Sequence, residues 1–191
     1  MARPIEFDIM TARESAMMLF WRNGYQASSL SDLLDDMKIG RGSFYAAFGD
    51  KRRLYLECLN LFADRTAAIV QKTRDKYPPM DALRYFLQHS LKHAEGSKAG
   101  FGCMAVNTVI ELAGVDDELA AAASAWLTKL QIMFEECLCE AGYSPARAAE
   151  YAAYLMLVNE GVRVASRRKL SRRQSLEAID TALRLLQTAP R

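Results

Sequence analysis

The apolar residues of this chain recur three and four positions apart from one end to the other, and this spacing limits what the chain can fold into. The spacing matches one face of an α-helix, which turns once in about 3.6 residues. No segment sustains the alternation of polar and β-branched residues that is typical of a half-buried strand. The sequence therefore predicts an all-α fold of about nine helices.

Capping residues, glycines and prolines indicate where the helices end. Asn23-Gly24 favours the end of a first helix, and Ser28 or Ser29 is suited to cap a short second one. A tight turn then leads to a short third helix, and Pro78-Pro79 ends a long fourth helix that begins near Lys51. Five further helices are expected at about residues 80–95, 103–112, 116–142, 144–168 and 171–187.

The order of short and long helices predicts two unequal domains. A chain of 191 residues can bury a substantial core. We expect residues 1–50 to form a small N-terminal module and residues 51–191 to form a larger helical body.

The composition, with 51% hydrophobic and 25% charged residues, is that of an ordinary globular protein. No apolar run approaches the roughly 18 residues of a membrane span, and the first residues lack the order of a secretory signal. The sequence therefore predicts a cytoplasmic protein with no membrane contact and no cofactor.

In a reducing compartment, four cysteines without a CxxC pair are expected to be free thiols. They are Cys58, Cys103, Cys137 and Cys139.

The overall charge of +2 says little about partners, but residues 38–53 hold five basic residues against one acidic residue. This segment includes the third predicted helix, in which Phe44 and Phe48 share one face. The opposite face then carries residues suited to DNA. Arg41 is long enough for a bidentate contact with guanine, and Ala46 fits a thymine methyl group.

The residues from Gly24 to Leu30 and from Gly42 to Lys51 resemble the helix-turn-helix DNA-binding domain of TetR-family regulators. The resemblance implies an all-helical DNA-binding protein with a homodimeric C-terminal effector domain. It assigns phosphate contact to Ser28 or Ser29 and the remaining DNA contacts to Arg41, Gly42, Ser43, Tyr45, Ala46 and Lys51. One departure is Lys38, which stands where the family usually has a turn glycine, so this lysine is expected in a left-handed conformation.

Two other interpretations of the basic segment remain. It is also compatible with a helical hairpin whose charges form a solvated face. A nonspecific architectural DNA-binding protein would carry the same charges and would show little preference between promoter fragments.

The last two predicted helices each carry an apolar stripe, and either stripe fits packing against its own subunit or against a second copy. TetR-family members dimerise through these helices, so the resemblance favours the second copy. The predicted dimer contacts are Tyr151, Leu155, Val158, Val162, Leu176, Ile179, Leu183 and Leu186. A group of basic residues from Arg163 to Arg173 lies at the turn between the two helices, where solvated surface is expected in preference to a site for an acidic ligand or a second nucleic acid.

A candidate effector site follows from polar residues four positions apart at the start of the sixth helix. Cys103, Asn107 and Glu111 would lie on one face of that helix, where they could line a pocket inside the apolar body. The segment around Gly102 resembles a TetR-family branch that senses electrophiles or oxidants through cysteine, although Cys103 also fits a plain packing role. Further pocket candidates are Phe86, His89, His93, Met104, Trp126, Met133 and Phe134.

A metal or thiol site is the alternative for the same region. His89 and His93 are four residues apart, which allows two imidazoles to reach one metal, with Cys103 as a third ligand. No catalytic triad order, phosphate loop or dinucleotide fingerprint stands out, so an enzyme would depend on these three residues alone. The sequence therefore predicts a dimeric regulator, most simply a repressor that a small-molecule effector releases from a palindromic DNA operator, and not an enzyme.

Overall fold

A computed structural model describes residues 7–89, 91, 100–168 and 171–188 of the chain. Within these residues the secondary structure is entirely helical, which confirms the all-α prediction. The helices are α1 (Ile9–Asn23), α2 (Leu30–Met37), α3 (Arg41–Phe48), α4 (Lys51–Lys76), α5 (Pro79–His89), α6 (Met104–Leu112), α7 (Asp117–Glu140), α8 (Pro145–Arg167) and α9 (Arg172–Thr188). Residues 90 and 92–99, and with them predicted pocket residue His93, lie outside the described part of the chain.

The three N-terminal helices pack around aromatic side chains. Phe44 and Phe48 of α3 are completely buried, and the ring of Phe20 in α1 meets Tyr55 of α4 edge to face. Burying a large apolar side chain stabilises a fold by roughly 1.5–3 kcal/mol, so these residues hold α3 in a defined orientation.

The long helix α4 joins this module to the C-terminal body, because it packs against α1 at one end and against α5 and α7 along its length. One cluster of buried apolar residues continues from α1 to α9. A movement in the C-terminal body can therefore reach the N-terminal helices through packed side chains.

Candidate functional site

Helix α3 presents one face to its own core and the other to solvent. Phe44 and Phe48 are fully buried, whereas the predicted DNA contacts Arg41, Gly42, Ser43, Tyr45 and Ala46 are all exposed. Tyr45 is 48% exposed on this outward face. The outward face of α3 is thus free to enter a groove.

The turn between α2 and α3 has the left-handed residue that the sequence predicted. Lys38 caps the C-terminal end of α2 with φ 55° and ψ 43°. Its backbone N–H donates to the carbonyls of Asp35 and Leu34 at the helix end. The turn therefore closes with a lysine in place of the more usual glycine.

The two serines before α2 have different roles, which corrects one of the predicted DNA contacts. Ser28 is completely buried, and its hydroxyl donates to the carbonyl of Gly24 over 2.7 Å. It is therefore not available to a phosphate. Ser29 is the exposed N-cap of α2 and forms a capping box with Asp32, so Ser29 alone of the pair faces solvent.

The basic residues at the start of α4 are also unequal. The ammonium group of Lys51 lies 4.5 Å from the ring centroid of Tyr25, and partial burial lowers the pKa of this lysine. Arg52 forms ion pairs with Asp116 and Glu118 at the start of α7, and its hydrogen bond lowers the pKa of Asp116. Arg52 thus belongs to a link within the protein, while Arg53 remains exposed.

Glu111 does not line a pocket, contrary to the prediction. From the last turn of α6 its carboxylate accepts hydrogen bonds from the backbone N–H of Tyr25 at 3.0 Å and of Gln26 at 2.7 Å. These donors lie in the turn between α1 and α2. A β-carbon on Gly24, which has φ 90°, would stand only 2.6 Å from the Glu111 carboxylate. Glycine is therefore required there, and α6 is tied directly to the N-terminal module.

A cavity of about 160 Å³ lies between α1, α4, α5, α7, α8 and the start of α6. Among the predicted pocket residues, Phe86, His89, Cys103 and Trp126 line it. Met17 and Trp21 come from α1, so the N-terminal module itself forms part of the wall. The remaining lining residues are Phe62, Arg65, Thr66, Ile69, Gly102, Leu130, Asn159 and Arg163.

Four further pocket predictions are wrong because these side chains serve the packing of the body. Met104 and Phe134 are buried outside the cavity wall, with Phe134 standing edge to face against Phe86. Asn107 donates to the carbonyl of Phe101 over 2.8 Å and so shapes the loop before α6. Met133 packs against the core, half-buried and away from the cavity.

Four polar residues of the cavity wall were not predicted from the sequence: Arg65 and Thr66 on α4, and Asn159 and Arg163 on α8. Asn159 is 2% exposed, and its Oδ1 accepts no hydrogen bond from any described residue. The Nε atom of Arg163 is enclosed as well, which corrects the expectation that this arginine is solvated surface. A lone asparagine four residues after Leu155 in the apolar stripe of α8 was the available signal.

The four cysteines are free thiols, as the sequence predicted. Cys103 is the N-cap residue of α6 and is buried at the cavity wall, while Cys58 and Cys137 are buried and Cys139 is exposed. Burial raises the pKa of Cys58 far above its ordinary value and that of Cys137 to about 11. Across the described residues, no three histidine, cysteine or acidic side chains come together as a metal site.

Two domain families match the chain in consecutive segments. Residues 13–58 match the bacterial regulatory proteins of the tetR family, and residues 79–182 match the C-terminal domain of LmrA/YxaF-like transcriptional regulators. The second match alone covers more than half of the chain. The protein belongs to the TetR family of transcription regulators.

Its relatives include the HTH-type transcriptional repressor ComR of Escherichia coli, which is 25% identical over 190 residues, or 96% of this chain and 90% of ComR. The uncharacterised HTH-type regulator YezE of Bacillus subtilis is 30% identical over 121 residues, and the match spans 63% of this chain and 62% of YezE. Among solved structures, a cysteine mutant of the TetR-family regulator CifR in complex with 26-base-pair operator DNA superimposes with a TM-score of 0.83. That pair is 26% identical, and the alignment covers 95% of this chain and 98% of CifR.

TetR-family regulators act as homodimers. The faces of α8 and α9 that were predicted to contact the second subunit instead lie inside this one. Tyr151, Leu155, Ile179, Leu183 and Leu186 are buried inside the subunit, because both stripes pack against their own chain. They are not dimer contacts.

A second stripe, displaced by a few positions, remains exposed on α8 and α9. It borders a shallow groove that is lined by Val158 and Val162. Leu176 is half-buried against the core. The large apolar residues exposed on this outer face are Tyr154, Leu157, Val164 and Leu185.

In the described part of the chain, no helix combines the length and the apolar character needed to cross a lipid bilayer.

Proposed function

We propose that the protein is a homodimeric repressor that binds a palindromic operator and leaves it when a small-molecule effector enters the cavity. The observation that carries the proposal is the two-faced helix α3, with Phe44 and Phe48 buried and Arg41 and Tyr45 exposed beside them. The fold of the whole chain supports the same function, as does its similarity to the repressor ComR and to operator-bound CifR.

In the proposed complex α3 lies in the major groove. Arg41 and Ala46 meet base edges, and Gly42 allows close approach of the backbone. Ser29, Ser43, Tyr45 and Lys51 meet phosphate oxygens, since hydroxyl and ammonium groups position a protein on the DNA backbone. The DNA-binding domain is taken as residues 1–50 and the effector and dimerisation domain as residues 51–191.

The proposed dimer joins two subunits through the outer faces of α8 and α9. Tyr154, Leu157, Val164 and Leu185 expose apolar area on these helices, and such helix pairs form four-helix interfaces about a twofold axis. Two copies of α3 then reach successive major grooves if they lie about 34–36 Å apart.

Effector binding is coupled to DNA binding through two contacts near the boundary between the N-terminal module and the body. Glu111 holds the turn between α1 and α2, and Arg52 ties the start of α4 to Asp116. The cavity lies against α1, α4 and the start of α6, so an occupant that shifts these helices changes the spacing of the two recognition helices. The effector must bind the DNA-incompetent conformation more tightly, because only differential affinity shifts an equilibrium.

The proposal includes no catalytic step, in keeping with relatives that are transcription regulators. Because such a regulator acts on chromosomal DNA, we place it in the cytoplasm.

The test is selection of bound fragments from genomic DNA by the purified full-length protein, followed by footprinting. We expect a short palindrome bound by a dimer with at least about a thousandfold preference over unrelated DNA. Uniform affinity across fragments would instead identify a nonspecific architectural protein and would refute the proposed function.

A further inference from the structure

Four aromatic rings line the cavity, those of Trp21, Phe62, Phe86 and Trp126, and each comes from a different helix. The volume of about 160 Å³ is small. An apolar cavity of roughly 150 Å³ holds a benzene molecule. Size and lining thus favour a ligand built on one aromatic ring.

Asn159 lies in the cavity wall and carries a buried hydrogen-bond acceptor that no described residue donates to. This acceptor is Oδ1, and the residue is only 2% exposed. Buried polar atoms are nearly always paired in folded proteins, because an unpaired one loses its bonds to water without compensation. A ligand with an O–H or N–H donor would supply the missing partner.

Arg163 lies one helical turn after Asn159 on the same wall. Its guanidinium group offers only donors, whereas Asn159 Oδ1 is only an acceptor. A hydroxyl group can donate to one and accept from the other, because it has one proton and two lone pairs. A carboxylate lacks the proton, so it could accept from Arg163 but would leave Asn159 Oδ1 without a donor.

We propose that the effector is a compact, uncharged aromatic compound with a hydroxyl group, of the phenol or benzyl alcohol type. The ring fills the aromatic part of the cavity, and the hydroxyl group donates to Asn159 Oδ1 and accepts from Arg163. This inference rests on the proposed function only in calling the compound an effector. Binding of the compound to the cavity does not require DNA.

The experiment measures binding of three matched probes to the full-length protein without DNA. The probes are 4-methylphenol, 1,4-dimethylbenzene and 4-methylbenzoate, which share a ring and a methyl group and differ in the polar substituent. The only two tryptophans of the chain, Trp21 and Trp126, both line the cavity. Their fluorescence, checked by calorimetry, therefore reports occupancy of this site.

We expect 4-methylphenol to bind about tenfold more tightly than either other probe, as one buried hydrogen bond predicts. Asn159→Leu should remove that preference and leave the affinity for 1,4-dimethylbenzene within about twofold. Asn60→Leu makes the same chemical change at an exposed position of α4 and should leave all three affinities unchanged.

Equal affinity for 4-methylphenol and 1,4-dimethylbenzene in the wild-type protein would overturn the inference, as would tightest binding of 4-methylbenzoate or binding of none of the three. These wild-type comparisons hold even if Asn159→Leu fails to fold. Operator release is measured separately with the fragments selected above. If 4-methylphenol binds in the expected order but releases no DNA, the ligand class stands and the proposed release mechanism fails.

Discussion

At the scale of single residues, exposure distinguishes side chains that the sequence presents as equivalent. Ser28 and Ser29 are neighbours of identical chemistry, yet one is buried against Gly24 and the other caps α2. Arg52 and Arg53 differ in the same way, since only Arg52 is held by acidic partners in α7. The side chains left free for DNA are therefore fewer than the basic segment suggests.

Arg41→Ala should lower the affinity for the selected operator by roughly 1–3 kcal/mol, or about fivefold to 150-fold, because a bidentate base contact is lost. The dimer should remain intact. Fluorescence anisotropy with the operator and with a scrambled duplex checks this, with Arg147→Ala on exposed α8 surface as the control. Unchanged operator affinity would remove Arg41 from the DNA-reading surface.

Lys38→Gly should raise the free energy of unfolding by up to about 1 kcal/mol, because glycine adopts the left-handed conformation without a steric penalty. Lys129→Gly, in the exposed middle of α7, is the matched control and should lower it by about 1 kcal/mol. Urea denaturation measures both. A loss of stability in Lys38→Gly would show that the lysine side chain contributes more than the turn conformation costs.

Cysteine labelling with iodoacetamide at pH 8 should be fastest at exposed Cys139 and slowest at Cys58 and Cys137. Burial raises the pKa of Cys137 to about 11, so its thiol stays protonated at this pH. A mass-spectrometric time course also tests Cys103. Labelling of Cys103 no faster than that of Cys58 is expected if it is a packing residue, and rapid labelling would favour the electrophile sensor.

At the scale of helices, α6 connects the cavity to the DNA-binding module. Its N-cap residue, Cys103, lies in the cavity wall, and Glu111 in its last turn holds the backbone between α1 and α2. Between these ends Thr108 shares a buried hydrogen bond of 2.7 Å with Tyr55 of α4. A shift of α6 therefore acts on both the turn and the long helix.

Glu111→Ala should reduce the free energy of unfolding by roughly 1–3 kcal/mol, because two backbone donors in the turn lose their acceptor. It should also weaken the effect of an effector on operator affinity. Urea denaturation and anisotropy titrations measure the two effects, and Glu150→Ala at exposed α8 surface is the control. Wild-type stability together with a wild-type effector response would refute the role of this carboxylate.

At the scale of the whole molecule, DNA recognition depends on how two subunits are arranged. The outer faces of α8 and α9 expose Leu157 at 70% and Leu185 at 56%. Isolated apolar residues are common on protein surfaces. Here the spacing of Tyr154, Leu157, Gly161 and Val164 places them on one face of α8, which favours an interface.

Leu157→Arg should convert the protein to a monomer at micromolar concentration, because it brings a charge from each subunit into the proposed apolar interface. Operator binding should fall with it, since one half-site contributes only part of the affinity. Sedimentation velocity measures the assembly, and Ile132→Arg on exposed α7 surface is the matched control. A Leu157→Arg protein that remains dimeric would place the interface elsewhere.

The sequence by itself determined the helices, because capping residues, prolines and apolar spacing act over a few neighbouring positions. It also determined the outward face of α3, since Phe44 and Phe48 identify the buried side, and the left-handed turn at Lys38. Four residues of the cavity wall were also predicted from the sequence: Phe86, His89, Cys103 and Trp126.

Only the tertiary structure decided which partner each helix face meets. Two stripes of similar spacing run along α8, and the order of residues does not say that Leu155 packs inside the subunit while Leu157 stays exposed. Nor does it say that Glu111 binds backbone 85 residues away in sequence or that Asn159 lies in the cavity wall. Such contacts depend on how distant helices pack, and local spacing carries no information about that arrangement.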